Sequence, residues 1–482
     1  MLYHSTRSFD QSVTGAQAVI KGLAPDGGLY MPERIPAFDW QACLQGDAYG
    51  MATAILSAFL GDIPHMDELV QKAYTGKFSA PGLTPTVPVG DFSVLELFHG
   101  PTSAFKDVAL SMLPQLLTAA RAKEGFAEDI LILTATSGDT GKAALEGFKD
   151  VAGIQICVFF PDGGVSPVQK AQMVTQEGSN VAVCAVKGNF DDAQTGVKNI
   201  FNQVRSVSAG ALSSANSINI GRLVPQVMYY FKSYADLLAA GKIALGDEVN
   251  FSVPTGNFGD ILAGYLAKLL GLPVGKLICA SNANNVLTDF IRTGTYDRRR
   301  DLHKTLSPSM DILVSSNLER LLYLLSGDPA LVASYMDQLS RDGSYTVSGD
   351  LLAKIQDLFW AGCCDDAAAQ AAIGRVWHEH RYLCDPHTAT GWQVAEDYAN
   401  QTGDTRPMVV LSTASAYKFP AAVLSAIGGD CSGDEFAQQE ALESLTAVPM
   451  PQNLKGLQQK KELHTTVIEK DTMLSYVQNL QF

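Results

Sequence analysis

The chain has 482 residues, 46% hydrophobic and 18% charged, with a formal net charge of −15 at pH 7. That composition suits a globular protein with a substantial core, and an acidic chain without a basic run is a poor match for nucleic acid as its main ligand. No stretch reaches the ~18–20 uninterrupted apolar residues of a membrane span, and residues 1–21 carry no apolar leader, so a soluble, cytoplasmic protein with no membrane or nucleic-acid partner is expected.

Length alone suggests roughly three units of ~150 residues each. The 8 cysteines form no C-x-x-C pair, and Cys157, Cys184 and Cys279 sit inside apolar runs, the usage of small buried thiols in a reducing compartment. No metal site is expected, since the histidines of His378-Glu379-His380 are two apart and face away from each other on a helix.

Residues 1–92 read as a mostly helical N-terminal region, with helical patterns over 40–44 and 49–60 and a Pro-rich linker over 84–88. From residue 93 short apolar runs at 130–134, 154–160 and 181–186 alternate with segments of helical period at 143–148 and 168–175. After residue 222 the alternation resumes, with candidate strands over 248–254, 277–281 and 408–412 and helical stretches over 224–240, 260–270 and 349–382. Such spacing predicts two doubly wound α/β units with a ligand cleft between them, a smaller one over 93–223 and a larger one over 224–432. A polar tail with one or two helices closes the chain over 433–482.

The candidate chemistry lies where strands end. In His99-Gly100-Pro101-Thr102-Ser103-Ala104-Phe105-Lys106-Asp107, a Gly-Pro turn breaks an apolar run and a helix follows. That places Lys106 at a helix start, where the dipole and partial desolvation would lower its pKa and make it a nucleophile or base; a snorkelling loop lysine is the alternative. Thr136-Ser137-Gly138-Asp139-Thr140-Gly141-Lys142 offers hydroxyls and backbone N–H groups to a carboxylate or phosphate. It is not a P-loop, because Thr136 stands where the first glycine belongs and Ala143 where a magnesium-binding hydroxyl belongs. Gly256-Asn257-Phe258-Gly259-Asp260 again leads a strand into a helix and suits a compact phosphate rather than a dinucleotide. Thr413, at the end of the 408–412 run, could meet a heteroaromatic nitrogen or simply end a strand. Asn216-Ser217-Ile218-Asn219-Ile220-Gly221-Arg222 gathers amides, a hydroxyl and a guanidinium suited to an anion. Ser315 to Arg320 and Asp385 to Gly391 read as further polar loops.

An amine at a helix start, a phosphate-cradling glycine loop, an anion-binding hydroxyl loop and a strand-end hydroxyl are the parts of a pyridoxal-phosphate enzyme. With Tyr3-x-Ser5-Thr6-Arg7 and the 385–391 segment, these motifs follow one another from residue 3 to about 420 in the order found in threonine synthases, and the chain resembles the longer, bacterial–fungal subgroup of that family. The resemblance implies the tryptophan-synthase-β type of fold (pyridoxal-phosphate fold type II), with Lys106 as the Schiff-base lysine. It implies that Gly256, Asn257, Phe258, Gly259 and Asp260 bind the cofactor phosphate and Thr413 its pyridine nitrogen. Ser137, Asp139 and Thr140 would face the substrate carboxylate and the cofactor's phenolic oxygen, and Asn216, Ser217 and Arg222 the substrate phosphate. Two departures stand out: Ser415-Ala416-Tyr417 replaces the family's frequent His-Pro-Ala, and Asp139 replaces the Asn common in the wider fold group.

The implied reaction is a carbon–oxygen lyase reaction on a phosphate ester, turning O-phospho-L-homoserine and water into L-threonine and phosphate, in a monomer or small homo-oligomer. The rivals are a phospholyase on O-phosphothreonine, a serine/threonine dehydratase, and a catalytically silent binding protein of the same fold. A simple dehydratase has little use for Arg222 and its amide neighbours.

Overall fold

The apolar runs become the strands of two mixed sheets in the computed structural model, which describes residues 1–204, 206–207 and 210–482. Among the described residues, the first sheet is six-stranded and runs Val467–Glu469, Val181–Lys187, Ile154–Pro161, Ile130–Ala135, Gly210–Ser213, Ser206–Val207, parallel except for its last pair. The second, also six-stranded, runs Phe359–Cys363, Val274–Ser281, Val249–Pro254, Met408–Ser412, Phe92–Glu96, Thr86–Val89, again parallel except at its last pair. The central strands Ile130–Ala135, Val249–Pro254 and Met408–Ser412 are buried along their whole length, as a parallel sheet covered on both faces requires. Two doubly wound units therefore stand side by side, and the C-terminal strand ends of both open toward a shared cavity.

Several boundaries differ from the sequence reading. The 84–88 linker contains the strand Thr86–Val89; its Pro88 is tolerated because this strand is an edge, where a missing N–H breaks no ladder. Phe92–Glu96 spans the expected 92/93 boundary and lies in the larger sheet, so the chain enters that sheet before it builds the smaller one. The helical stretch over 349–382 is two helices, Gly349–Leu358 and Asp366–His380, separated by the strand Phe359–Cys363. A Cβ on Gly362 would sit 2.9 Å from the Trp360 ring and from Val394, so the backbone passes too close to the covering helix Pro386–Thr402 to carry a side chain. The 433–482 tail completes the smaller sheet, because Val467–Glu469 pairs with Val181–Lys187 and the helix Met473–Gln478 packs against Phe190–Gln203.

The N-terminal region holds the helices Gly15–Lys21, Trp40–Cys43, Ala48–Leu60 and Met66–Tyr74, together with a three-stranded antiparallel sheet of Leu2–Ser5, Ser12–Thr14 and Tyr30–Pro32. No helix among the described residues is long and apolar enough to cross a membrane.

Candidate active site

Lys106 is the first residue of the helix Lys106–Glu124. The loop before it is pinned to the larger sheet: Phe105 N–H donates to Thr413 O (2.8 Å), Ser415 N–H donates to Ser103 O (3.1 Å), and Ala104 and Ala414 form an antiparallel bridge. Asp107 closes the turn from below, accepting from Thr102 N–H (2.9 Å) and Thr102 Oγ1 (2.5 Å). Gly100 is required here, since a Cβ would lie 2.4 Å from Asp107 Cβ. Buried without a cation bonded to it, the Asp107 carboxyl is pushed up to about 6 by burial.

The amine belongs to a short row of charges. Lys106 Nζ lies 3.7 Å from Asp139 Oδ2 and 4.5 Å from the centroid of the Phe105 ring. Asp139 Oδ1 is 2.5 Å from the Nζ of Lys418, whose side chain has 0% exposure, and accepts from Gln169 Nε2 at 3.0 Å. Burial lowers the Lys106 amine to about 8, with Asp139 opposing the shift and the like charges of Lys418 and Arg222 adding to it. Burial alone would raise the Asp139 carboxyl, but Lys418 first and Lys106 second override it and hold it well below the usual carboxylate range.

The loop from Gly256 to Asp260 turns into the helix Gly259–Leu269 through Phe258 at φ 60°. N–H groups of a first helical turn have no intrahelical acceptor, and the first closing bond here is Leu262 N–H to Phe258 O at 3.1 Å. The segment read as a polar loop at 315–320 clamps this turn: Ser315 Oγ donates to Gly256 O (2.7 Å) and Asn317 Nδ2 to Asn257 O (3.0 Å). Its latter part is the start of the helix Leu318–Ser326. A Cβ on Gly256 would come within 2.8 Å of Ser309 O. The Asp260 carboxylate is held at Oδ1 by Tyr229 OH (2.5 Å) and Tyr230 OH (3.2 Å), while among the described residues its buried Oδ2 has no partner; burial raises that carboxyl to about 6. The segment from Asp385 to Gly391 is likewise no loop: Asp385 caps the helix Pro386–Thr402 and its Oδ2 lies 2.5 Å from His387 Nδ1.

Two buried arginines flank the 216–222 segment and differ in how they are used. Arg320, fully buried, donates to Ser217 O (3.1 Å), Ile218 O (2.7 Å), Tyr30 O (3.3 Å) and Asn317 Oδ1 (2.5 Å), tying that segment to the larger unit. Arg222, also buried but reaching the cavity wall, donates from Nη1 to Ala215 O at 2.6 Å, while among the described residues its Nε has no partner. Among the described residues no carboxylate pairs with it, and burial lowers its guanidinium to about 10.

Lys106, Ser137, Asp139, Thr140, Asn216, Ser217, Arg222, Gly256, Asn257, Phe258, Gly259, Asp260 and Thr413 all line one cavity of about 1150 Å³. Sequence reasoning missed Lys418, Gln169 and His387. A lysine inside the apolar run Ala416-Tyr417-Lys418-Phe419-Pro420-Ala421 was the available signal for the first, because a buried cation needs a buried anion. The residues fit a phosphorylated aldehyde cofactor: a desolvated amine, an N–H-lined turn whose glycine leaves no room for a Cβ, and an unsatisfied guanidinium beyond them.

Comparison with known proteins agrees. The family model "Threonine synthase N terminus" matches residues 2–74, "Pyridoxal-phosphate dependent enzyme" residues 75–414 and "Threonine synthase, C-terminal" residues 388–477. The chain is 41% identical to threonine synthase of Pseudomonas aeruginosa over 88% of its own length and 90% of that protein's. It is 40% identical to human Threonine synthase-like 1 over 86% of its own length, but spans only 58% of that longer relative. Among solved structures, a PLP-bound threonine synthase from Brucella melitensis superposes with a TM-score of 0.87 at 40% identity, covering 99% of both chains. The architecture is thus pyridoxal-phosphate fold type II, and the cofactor is pyridoxal 5'-phosphate.

Proposed function

The chain belongs to the threonine synthase family of pyridoxal-phosphate-dependent enzymes, and from that membership we propose that it converts O-phospho-L-homoserine and water into L-threonine and phosphate. The observation that carries the phosphorylated substrate is Arg222, a buried guanidinium with an unpartnered Nε and no carboxylate, in the same cavity as Lys106. A buried cation is retained without a counter-ion where a ligand supplies one.

When bound, pyridoxal phosphate supplies an aldehyde for amines and a ring that withdraws electrons from the substrate carbon. The N–H groups of the turn from Gly256 to Asp260 would hold its phosphate, and the Thr413 hydroxyl would face its ring nitrogen. Lys106 would be the amine to which the cofactor attaches and the base that takes the substrate's Cα proton. An amine near 8 is neutral often enough at physiological pH to act as that base. Ser137 and Thr140 offer hydroxyls to the substrate carboxylate, and Asn216, Ser217 and Arg222 hold the phosphate that leaves from Cγ.

The test is a product assay with O-phospho-L-homoserine. Equal amounts of threonine and phosphate support the reading. Phosphate with 2-oxobutyrate in place of threonine transfers the assignment to a phospholyase, and no visible band after incubation with PLP transfers it to a binding protein.

A further inference from the structure

The Lys418–Asp139 pair lies directly beside the reactive amine. Asp139 is hydrogen-bonded through Oδ1 to Lys418 at 2.5 Å, whereas its Oδ2 stands 3.7 Å from Lys106, too far for a hydrogen bond. Lys418 donates also to Thr102 O at 3.2 Å and has no exposure to solvent. We propose that Lys418 is a positioning residue, a fixed counter-ion that keeps Asp139 satisfied so that Lys106 can give up and regain its proton in a buried site.

With Lys106 neutral, Asp139 and Lys418 remain a closed pair. If Lys418 carried no charge, a neutral Lys106 would strand a lone carboxylate in the interior, a state costly enough that Lys106 would keep its proton instead. The other charged groups facing Lys106 are Arg222, which works in the same direction as Lys418, and Asp260, which works against it. Asp139 also faces His387, and Lys418 also faces Asp107.

The inference rests on Lys106 as the reactive amine, so its test uses the protein without PLP or substrate. Competitive acetylation read by mass spectrometry gives the titration midpoint of Lys106 directly. A wrong substrate assignment leaves that midpoint untouched and shows only in the product assay. Lys418→Gln keeps a donor for Thr102 O and Asp139 but removes the charge, and the Lys106 midpoint is expected to rise by about one pH unit or more. The pH above which added PLP develops its visible band moves with it. A folded Lys418→Gln protein whose Lys106 midpoint stays in place overturns the proposal and leaves Lys418 a structural strut. Should that variant not fold, Lys418→Met takes its place with the same expected rise, and a folded Lys418→Met protein whose Lys106 midpoint stays in place overturns the proposal.

Discussion

Replacing Arg222 by methionine separates binding chemistry from folding energy. A guanidinium lowered by burial from its ordinary range to about 10 has given up on the order of 3 kcal/mol of its preference for the charged form. It recovers one hydrogen bond, to Ala215 O at 2.6 Å, worth ~1 kcal/mol. Arg222→Met is therefore expected to leave the ligand-free fold as stable as before or more stable by up to ~2 kcal/mol, a rise of a few degrees at most in Tm. Charge-assisted hydrogen bonds to a phosphate contribute about 1.5–3 kcal/mol each. Loss of this one cation is thus expected to reduce kcat/KM for O-phospho-L-homoserine by roughly 10- to 150-fold and to weaken inhibition by inorganic phosphate in step. Thermal melts and steady-state kinetics on the same preparation read both quantities. A folded Arg222→Met protein with kcat/KM within threefold of the parent would refute the assignment of Arg222 to the substrate anion.

Arg320→Met is expected to cost more stability than Arg222→Met, because it leaves the carbonyls of Tyr30, Ser217 and Ile218 and the Asn317 amide oxygen without their donor, at about 1–3 kcal/mol for each orphaned acceptor, against the relief of a guanidinium that burial lowers to about 9; denaturant unfolding reads the difference, and an Arg320→Met protein no less stable than Arg222→Met would sink the idea of a bolt. Uptake of PLP by the PLP-free protein, read as the rate at which the visible band grows, is expected to slow below pH 8, the value to which burial lowers the Lys106 amine, as that amine takes up a proton; a rate that does not change across pH 8 would contradict Lys106 as the titrating amine. By the same linkage this group makes the PLP-free protein more stable as pH rises from about 8 toward 10.5, since over that window the unfolded chain keeps the proton that the folded one has released. Gly100→Ala drives a Cβ to 2.4 Å from Asp107 Cβ and is expected to cost about 1–3 kcal/mol and to weaken PLP binding, checked by melting and by titration of the visible band.

Legibility of the fold followed burial and chain distance. Long runs such as 130–134 and 408–412 declared themselves because a strand covered on both faces must be apolar throughout. Val467–Glu469 did not, since it is a three-residue edge with both end residues exposed, held partly by the ion pair of Lys187 and Glu469 at 2.6 Å. Phe359–Cys363 was hidden by the helical periodicity on either side of it. At the site, the turns carrying Lys106, Asp139, Gly256 and Thr413 were readable because strand-to-helix junctions have local signatures. Lys418 has only its place in an apolar run, for its meaning lies in Asp139, 279 positions away along the chain (418 less 139). Arg222 and Arg320 look alike as letters, and only their hydrogen-bond partners show that one is saturated and the other open.

The antiparallel bridge between Ala104 and Ala414 has a mechanical consequence. The helix that begins at Lys106 packs against the helix Asp139–Phe148, which covers the smaller sheet, yet its first residue is stitched to the strand end of the larger one. If the two sheets rock against each other, Lys106 stands near the fulcrum, while Ser137 and Thr140 ride on the swinging arm. Groups that grip the substrate can travel without dragging the amine out of line with Thr413 and the phosphate cradle.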